Sequence, residues 1–133
     1  LVFLDTNIWF YVFADAQGLV KHERARKLIQ EEEIVVSQQV VSEVCNALRS
    51  KKLIDETELK VIIRSFYNRY DPFSLDANDL IDASDLREQF TFSYWDSLII
   101  VAALKSGASI LYSEDMQNGL AIQNRLTIRN PFR

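Results

Sequence analysis

The chain has 133 residues, 48% of them hydrophobic, and a formal net charge of -4. Such a length suits one compact domain over residues 1–133, burying roughly two thirds of the surface its unfolded chain exposes. The acidic balance argues against a protein that grips phosphates with a basic face, unless cations supply the missing positive charge. With Cys45 and His22 the only residues of their kinds, an intramolecular disulfide, a multi-cysteine zinc site and any mechanism needing two histidines are excluded.

In chain order, Leu1 to Leu4 reads as a short buried strand, and Ile8 to Ala14 as a buried helix beginning just after Asp5-Thr6-Asn7. The strand runs straight into that polar motif without a leader's cleavage site, so export is not expected. A charged helix over His22 to Glu33, a β-branched strand over Ile34 to Val36 and an amphipathic helix over Gln38 to Ser50 follow. Glu43 lies on the border of that last helix's apolar face. Asp55-Glu56-Thr57-Glu58 opens the next helix, whose acidic first turn suits the helix dipole, and Asp71-Pro72 stops it. Phe73 to Leu75 is a candidate third short strand, and Ala77 to Gln89 an acidic helix.

Ser93-Tyr94-Trp95-Asp96 opens a helix that is apolar nearly all round, which assigns it to the interior. Its run from Leu98 to Leu104 falls short of the ~18 to 20 residues that cross a bilayer, so no membrane association is expected. A cytoplasmic location is, and the lone cysteine agrees with it. Ile110 to Tyr112 is the next strand, Ser113-Glu114-Asp115 turns off its end, and the region from Ile122 to Ile128 can add an edge strand. Strands alternating with helices predict an α/β fold.

In open α/β sheets, ligands collect beyond the carboxyl ends of the strands, where Asp5 and Asp115 fall. Each acidic position also has a structural alternative. Asp5 or Asn7 can cap a helix, Ser113 can cap the turn at Asp115, and Ser93-x-x-Asp96 has the spacing of a capping box. Glu43 can simply be solvated. One purpose would join them, because Mg²⁺ or Mn²⁺ binds through a few carboxylates while keeping several waters. Two carboxylates ~5 Å apart repel by about 3 kcal/mol at an effective dielectric of 20, so a cluster of them calls for a cation or a proton.

These residues resemble the PIN domains, and especially the compact VapC-type toxin nucleases of toxin–antitoxin pairs. The carriers are the opening strand ending in Asp5-Thr6-Asn7, Glu43 in its amphipathic helix, Tyr94-Trp95-Asp96 before a buried helix, and Leu111-Tyr112-Ser113-Glu114-Asp115-Met116. The resemblance covers the whole chain. It implies a three-layer α/β/α sandwich with a short, mainly parallel central sheet, and a homodimer. It further implies that Asp5, Asp96 and Asp115 hold Mg²⁺ or Mn²⁺ directly or through water, with Glu43 as the fourth acid. Thr6, Asn7 and Ser113 would stand around them, and Glu114 would reach either the ion or solvent. The implied reaction is hydrolysis of an RNA phosphodiester by an activated water, leaving a 5′-phosphate and a 3′-hydroxyl. The implied partners are RNA and a protein antitoxin whose tail covers the pocket.

Two rivals remain at this level. One is a PIN-like scaffold that has lost catalysis, against which the four retained acids count. The other is a phosphatase of the haloacid dehalogenase type, which needs a second aspartate where this chain has Asn7. Among the remaining features, the basic groups Lys21, Arg24, Arg26, Lys27 and Arg49, Lys51, Lys52 could touch RNA phosphates but read more readily as a solvated helix face or a helix end, and Asp76, Asp79, Asp82 and Asp85 read as solvated. Trp9, Phe10, Tyr11 and Phe13 read as core or dimer surface, and Cys45 as a small buried hydrophobe.

Overall fold

A computed structural model describes residues 1–14 and 19–133. The elements are β1 (Val2–Leu4), α1 (Thr6–Phe13), α2 (Leu19–Glu31), β2 (Ile34–Val35), α3 (Gln38–Ser50), α4 (Glu56–Tyr70), α5 (Ala77–Gln89), α6 (Tyr94–Lys105), β3 (Ile110–Tyr112), β4 (Ala121–Ile122) and β5 (Leu126–Arg129). The strands form one sheet in the order β2-β1-β3-β5-β4, parallel throughout except where β4 runs antiparallel to β5. Helices cover it to give a three-layer α/β/α sandwich. None of the described helices is long and apolar enough to cross a membrane.

The sheet is short because its strands are, and they are buried on both faces, as parallel strands between helices must be. Phe3, Leu4, Leu111 and Ile128 are fully inaccessible at its centre. Each such side chain contributes roughly 1.5 to 3 kcal/mol by leaving water. The chain leaves β1 for β2 on one side and returns to β3 on the other. The order therefore reverses at β1, and a crevice opens beyond the carboxyl ends of β1 and β3. In register, Leu4 pairs with Tyr112, which puts the next residues, Asp5 and Ser113, side by side at the mouth of that crevice.

Three helices frame it. The helix α1 begins at Thr6 because Asp5 is its N-cap and accepts the Thr6 amide, and Trp9 ties it to α4 by edge contacts with Phe66 and Tyr70 at 4.9 and 5.5 Å. Ser37 caps α3 by accepting the Val40 amide, and the apolar stripe Val40, Val41, Val44 and Leu48 is buried. In α6 every residue from Ser97 to Leu104 is buried, and the Ser93 cap fixes its first turn, with Asp96, at the edge of the sheet. Gly107, at φ +79°, ends α6 in the left-handed conformation that glycine adopts without a Cβ penalty.

Several elements differ from the sequence reading. Phe73 to Leu75 does not form a strand: a single bridge joins Phe73 to Ser37, because the chain passes the end of β2 for one residue only before α5 begins. The Ile122 to Ile128 region is a hairpin rather than one strand, with β5 inside the sheet and β4 at its edge. Asp79 is not solvated. It is 8% exposed, closes a capping box with Asp76 and accepts a 2.6 Å hydrogen bond from Lys105 Nζ, which holds its carboxyl below the usual range.

Candidate active site

A cleft of about 550 Å³ at the ends of β1 and β3 is lined by Asp5, Thr6, Asn7, Glu43, Asp96, Glu114 and Asp115, with Phe10, Tyr11, Ala47 and Lys51 on its walls. Asp5 comes from the end of β1, Glu43 from α3, Asp96 from the first turn of α6, and Glu114 and Asp115 from the turn after β3. Residues up to 110 positions apart thus share one concavity because the ends of β1 and β3 meet α3 and the first turn of α6 at the switch point of the sheet.

Asp5 sits deepest, at 7% exposure. Its Oδ1 accepts the Thr6 amide at 2.7 Å and its Oδ2 accepts the Ser113 hydroxyl at 2.8 Å. Burial raises its pKa to about 6. The hydrogen bonds from Ser113 and Thr6 oppose that rise, and the charges of Asp96 and Glu43 add to it. A carboxylate raised by burial and by two neighbouring acids at the floor of an open cleft is a place where a bound cation would be favourable. Asp96 is half-buried and shifted upward too, first by burial and then, against the pull of Ser93, by Asp115 and Glu43. Ser93 caps α6 through the Asp96 amide at 3.1 Å, yet the reciprocal bond of a capping box is not made, so the Asp96 carboxylate faces the cleft.

The remaining acids are held by neighbours. Glu43 accepts Thr6 Oγ1 at 2.7 Å and Gln39 Nε2 at 2.6 Å, so it is anchored rather than solvated. Asp115 is exposed and accepts Asn7 Nδ2 at 3.0 Å, while Asn7 Oδ1 accepts the Glu114 amide at 3.4 Å. Asn7 therefore stitches the start of α1 to the turn after β3. Ser113 is fully buried and also accepts the Met116 amide at 3.3 Å, so it braces that turn as well as Asp5. Glu114 turns its carboxylate to Lys21 and Tyr11. Burial pushes its pKa up, but these two partners outweigh that and leave it lowered.

The donors suit a hard divalent cation, since they are all carboxylate and amide oxygens and the cleft contains no thiol or imidazole. Among the described residues, no three His, Cys, Asp or Glu side chains are gathered as ligands around one point. The hydrogen bonds to Glu43 and Asp115 explain this, because each carboxylate is turned toward a protein donor.

Two cations that the sequence left among solvated helix faces belong to this site. Lys51 lies over the Phe10 ring at 4.9 Å on the cleft wall, and Lys21 lies over the Tyr11 and Phe132 rings at 5.1 and 5.4 Å while it pairs with Glu114. A lysine just past the end of a helix that faces the site was the available signal for Lys51. Trp9 and Phe10 are core, whereas Trp95, given no role by the sequence, stands exposed beside Asp96.

The family model of the PIN domain matches residues 2–118, and the chain belongs to that family. The membership sets aside the dehalogenase-type phosphatase. No curated protein matches the chain in sequence. Among solved structures, a toxin–antitoxin complex from Klebsiella pneumoniae is similar with a TM-score of 0.73 and 14% identity, covering 98% of each chain. VapBC2 from Rickettsia felis, bound to a DNA fragment from its promoter, gives 0.68 at 19% identity over 97% of each chain. VapC20 of Mycobacterium tuberculosis, a sarcin-ricin loop-cleaving toxin, gives 0.66 at 17% identity over 86% of this chain and 90% of that one.

Proposed function

We propose that this PIN domain is a divalent-metal-dependent endoribonuclease of the VapC type, acting as the toxin of a toxin–antitoxin pair. The observation that carries the reading is Asp5, buried at the convergence of β1, α3, α6 and the turn after β3, with a pKa pushed up to about 6 in a cleft open to solvent. Asp5, Asp96 and Asp115 would hold Mg²⁺ or Mn²⁺, directly or through water, with Glu43 as the fourth acid. When bound, the ion supplies a more acidic water and offsets charge on the phosphoryl oxygens.

The protein's own groups prepare that chemistry. Ser113 and Thr6 fix both oxygens of Asp5, Thr6 and Gln39 fix Glu43, and Asn7 fixes Asp115, so the acids are positioned by hydrogen bonds before any substrate arrives. Lys21 cancels the charge of Glu114, leaving fewer negative charges to repel a phosphate. The similar structures that contain antitoxins support a protein antitoxin as partner, and a cytoplasmic homodimer accords with this reading.

The test is cleavage of single-stranded and structured RNA by the purified protein in Mn²⁺. Asp5→Asn and Asp96→Asn should fold and fail to cut. Cleavage that needs no metal and survives both changes would contradict the proposal.

A further inference from the structure

Beside the acidic cleft runs a second groove of about 460 Å³, lined by Gln39, Ser42, Glu43 and Asn46 of α3 and by Trp95 of α6. Glu43 belongs to both, so the groove continues directly from the cleft. Trp95 is 62% exposed at its edge, an unusual placement for the most costly side chain to leave in water. It is nevertheless held. Its ring meets Tyr94 edge to face at 5.1 Å, and the Arg87 guanidinium lies over the Tyr94 ring at 4.8 Å. Arg87 is pinned in turn by a 2.7 Å hydrogen bond to the buried Ser97 hydroxyl, whose own proton goes to the Tyr94 carbonyl at 2.6 Å. Arg87 and Tyr94 thus brace Trp95, which stands exposed next to Asp96.

We infer that this groove is a base-binding subsite, in which one unpaired nucleobase of the RNA stacks on Trp95 while Ser42 and Asn46 lie toward its edge. The inference rests on the nuclease reading and deepens it. Three features favour a base over a protein side chain. The platform is aromatic and preorganised, as stacking of single-stranded nucleic acid requires. The groove surface is mainly apolar, as the faces of a stacked base require, and Ser42 and Asn46 add a hydroxyl and an amide that can pair with a base edge. The groove also adjoins the candidate catalytic acids through Glu43, so a strand with its phosphate in the cleft has its neighbouring base there. Specificity for the nucleotide next to the cut would then be set by α3 residues outside the acidic cluster.

The experiment uses the full chain carrying Asp5→Asn, so that bound RNA stays intact, with Mg²⁺ present and short single-stranded homo-oligoribonucleotides as probes. Trp9 is buried at 2% exposure and shielded from contact, so quenching of tryptophan emission reports Trp95. Binding should quench that emission. Trp95→Ala should weaken binding, read by anisotropy of labelled RNA, about tenfold. Trp95→Phe should lose the quenching and keep affinity within about threefold, because a stacking ring remains. Ser42→Ala with Asn46→Ala should narrow the differences in affinity among the four homopolymers. Binding without quenching, or unchanged affinity in Trp95→Ala, would overturn the subsite and leave the nuclease reading standing. A shift of Trp95→Ala from dimer to monomer in sedimentation with unaltered affinity for RNA would likewise overturn it, by making the face a protein contact. Absence of RNA binding altogether would overturn both readings.

Discussion

Ser113 Oγ donates to Asp5 Oδ2 at 2.8 Å, joining two buried residues 108 positions apart. The bond exists because Leu4 and Tyr112 are register partners on adjacent parallel strands, so the residues that follow them leave the sheet together. It opposes the cost of burying Asp5, and the same hydroxyl accepts the Met116 amide, so one atom fixes both the acid and the turn that carries Asp115.

Ser113→Ala should therefore cost about 1 to 3 kcal/mol, the usual penalty for leaving buried partners unsatisfied. The loss is measured by urea unfolding. Ser113→Thr should recover most of it if the extra methyl is accommodated, and Mn²⁺ affinity should fall in the alanine variant and return in the threonine variant.

Asp5→Asn should stabilise the metal-free protein. The folded pKa of about 6 lies above the ordinary 3.8, so ionised Asp5 disfavours the native state. Its contribution is neutral below the ordinary value, becomes unfavourable as pH rises through the folded value, and reaches at most about 3 kcal/mol at neutral pH. Thermal melts of the wild type in chelator should show stability falling between about pH 4 and 6 from this group. The asparagine variant should lack that component and be more stable at pH 7, while losing the stabilisation that Mn²⁺ gives the wild type.

How far this arrangement could be read from sequence depends on the range of the forces involved. The helices over Gln38 to Ser50 and Ala77 to Gln89 and the strand over Ile110 to Tyr112 were legible to the residue, because periodicity and capping are local. Asp79 was misread because its partner, Lys105, is 26 positions away and no local pattern shows it. Phe73 has the composition of a strand but meets a neighbour only at Ser37. That the chain's acids lie at strand ends was legible. That Thr6 anchors Glu43 and that Lys21 neutralises Glu114 depend on the packing of α1, α2 and α3 and could not be.

Lys51→Ala should weaken RNA binding several-fold, and the slope of log affinity against log salt should become shallower by about one counterion. Lys51→Arg should retain both, since the charge and its seat on Phe10 persist. Equal slopes in the wild type and the alanine variant would place Lys51 outside the substrate path.

Glu114→Gln should leave Mn²⁺ affinity within about twofold of the wild type, because the Glu114 carboxylate is already committed to Lys21 and Tyr11. The change frees Lys21, and RNA binding should tighten slightly at low salt. A loss of Mn²⁺ affinity as large as that of Asp96→Asn would assign Glu114 to the ion instead.

Crystals soaked in Mn²⁺ and measured for anomalous scattering test most directly whether the acids from β1, α6 and the turn after β3 serve one cation. A peak bound by the Asp5 carboxylate, with Asp96 and Asp115 reaching it directly or through ordered water, and absent from Asp5→Asn crystals, is the predicted result. No peak at Asp5 at saturating Mn²⁺, or one that persists in Asp5→Asn, would contradict it.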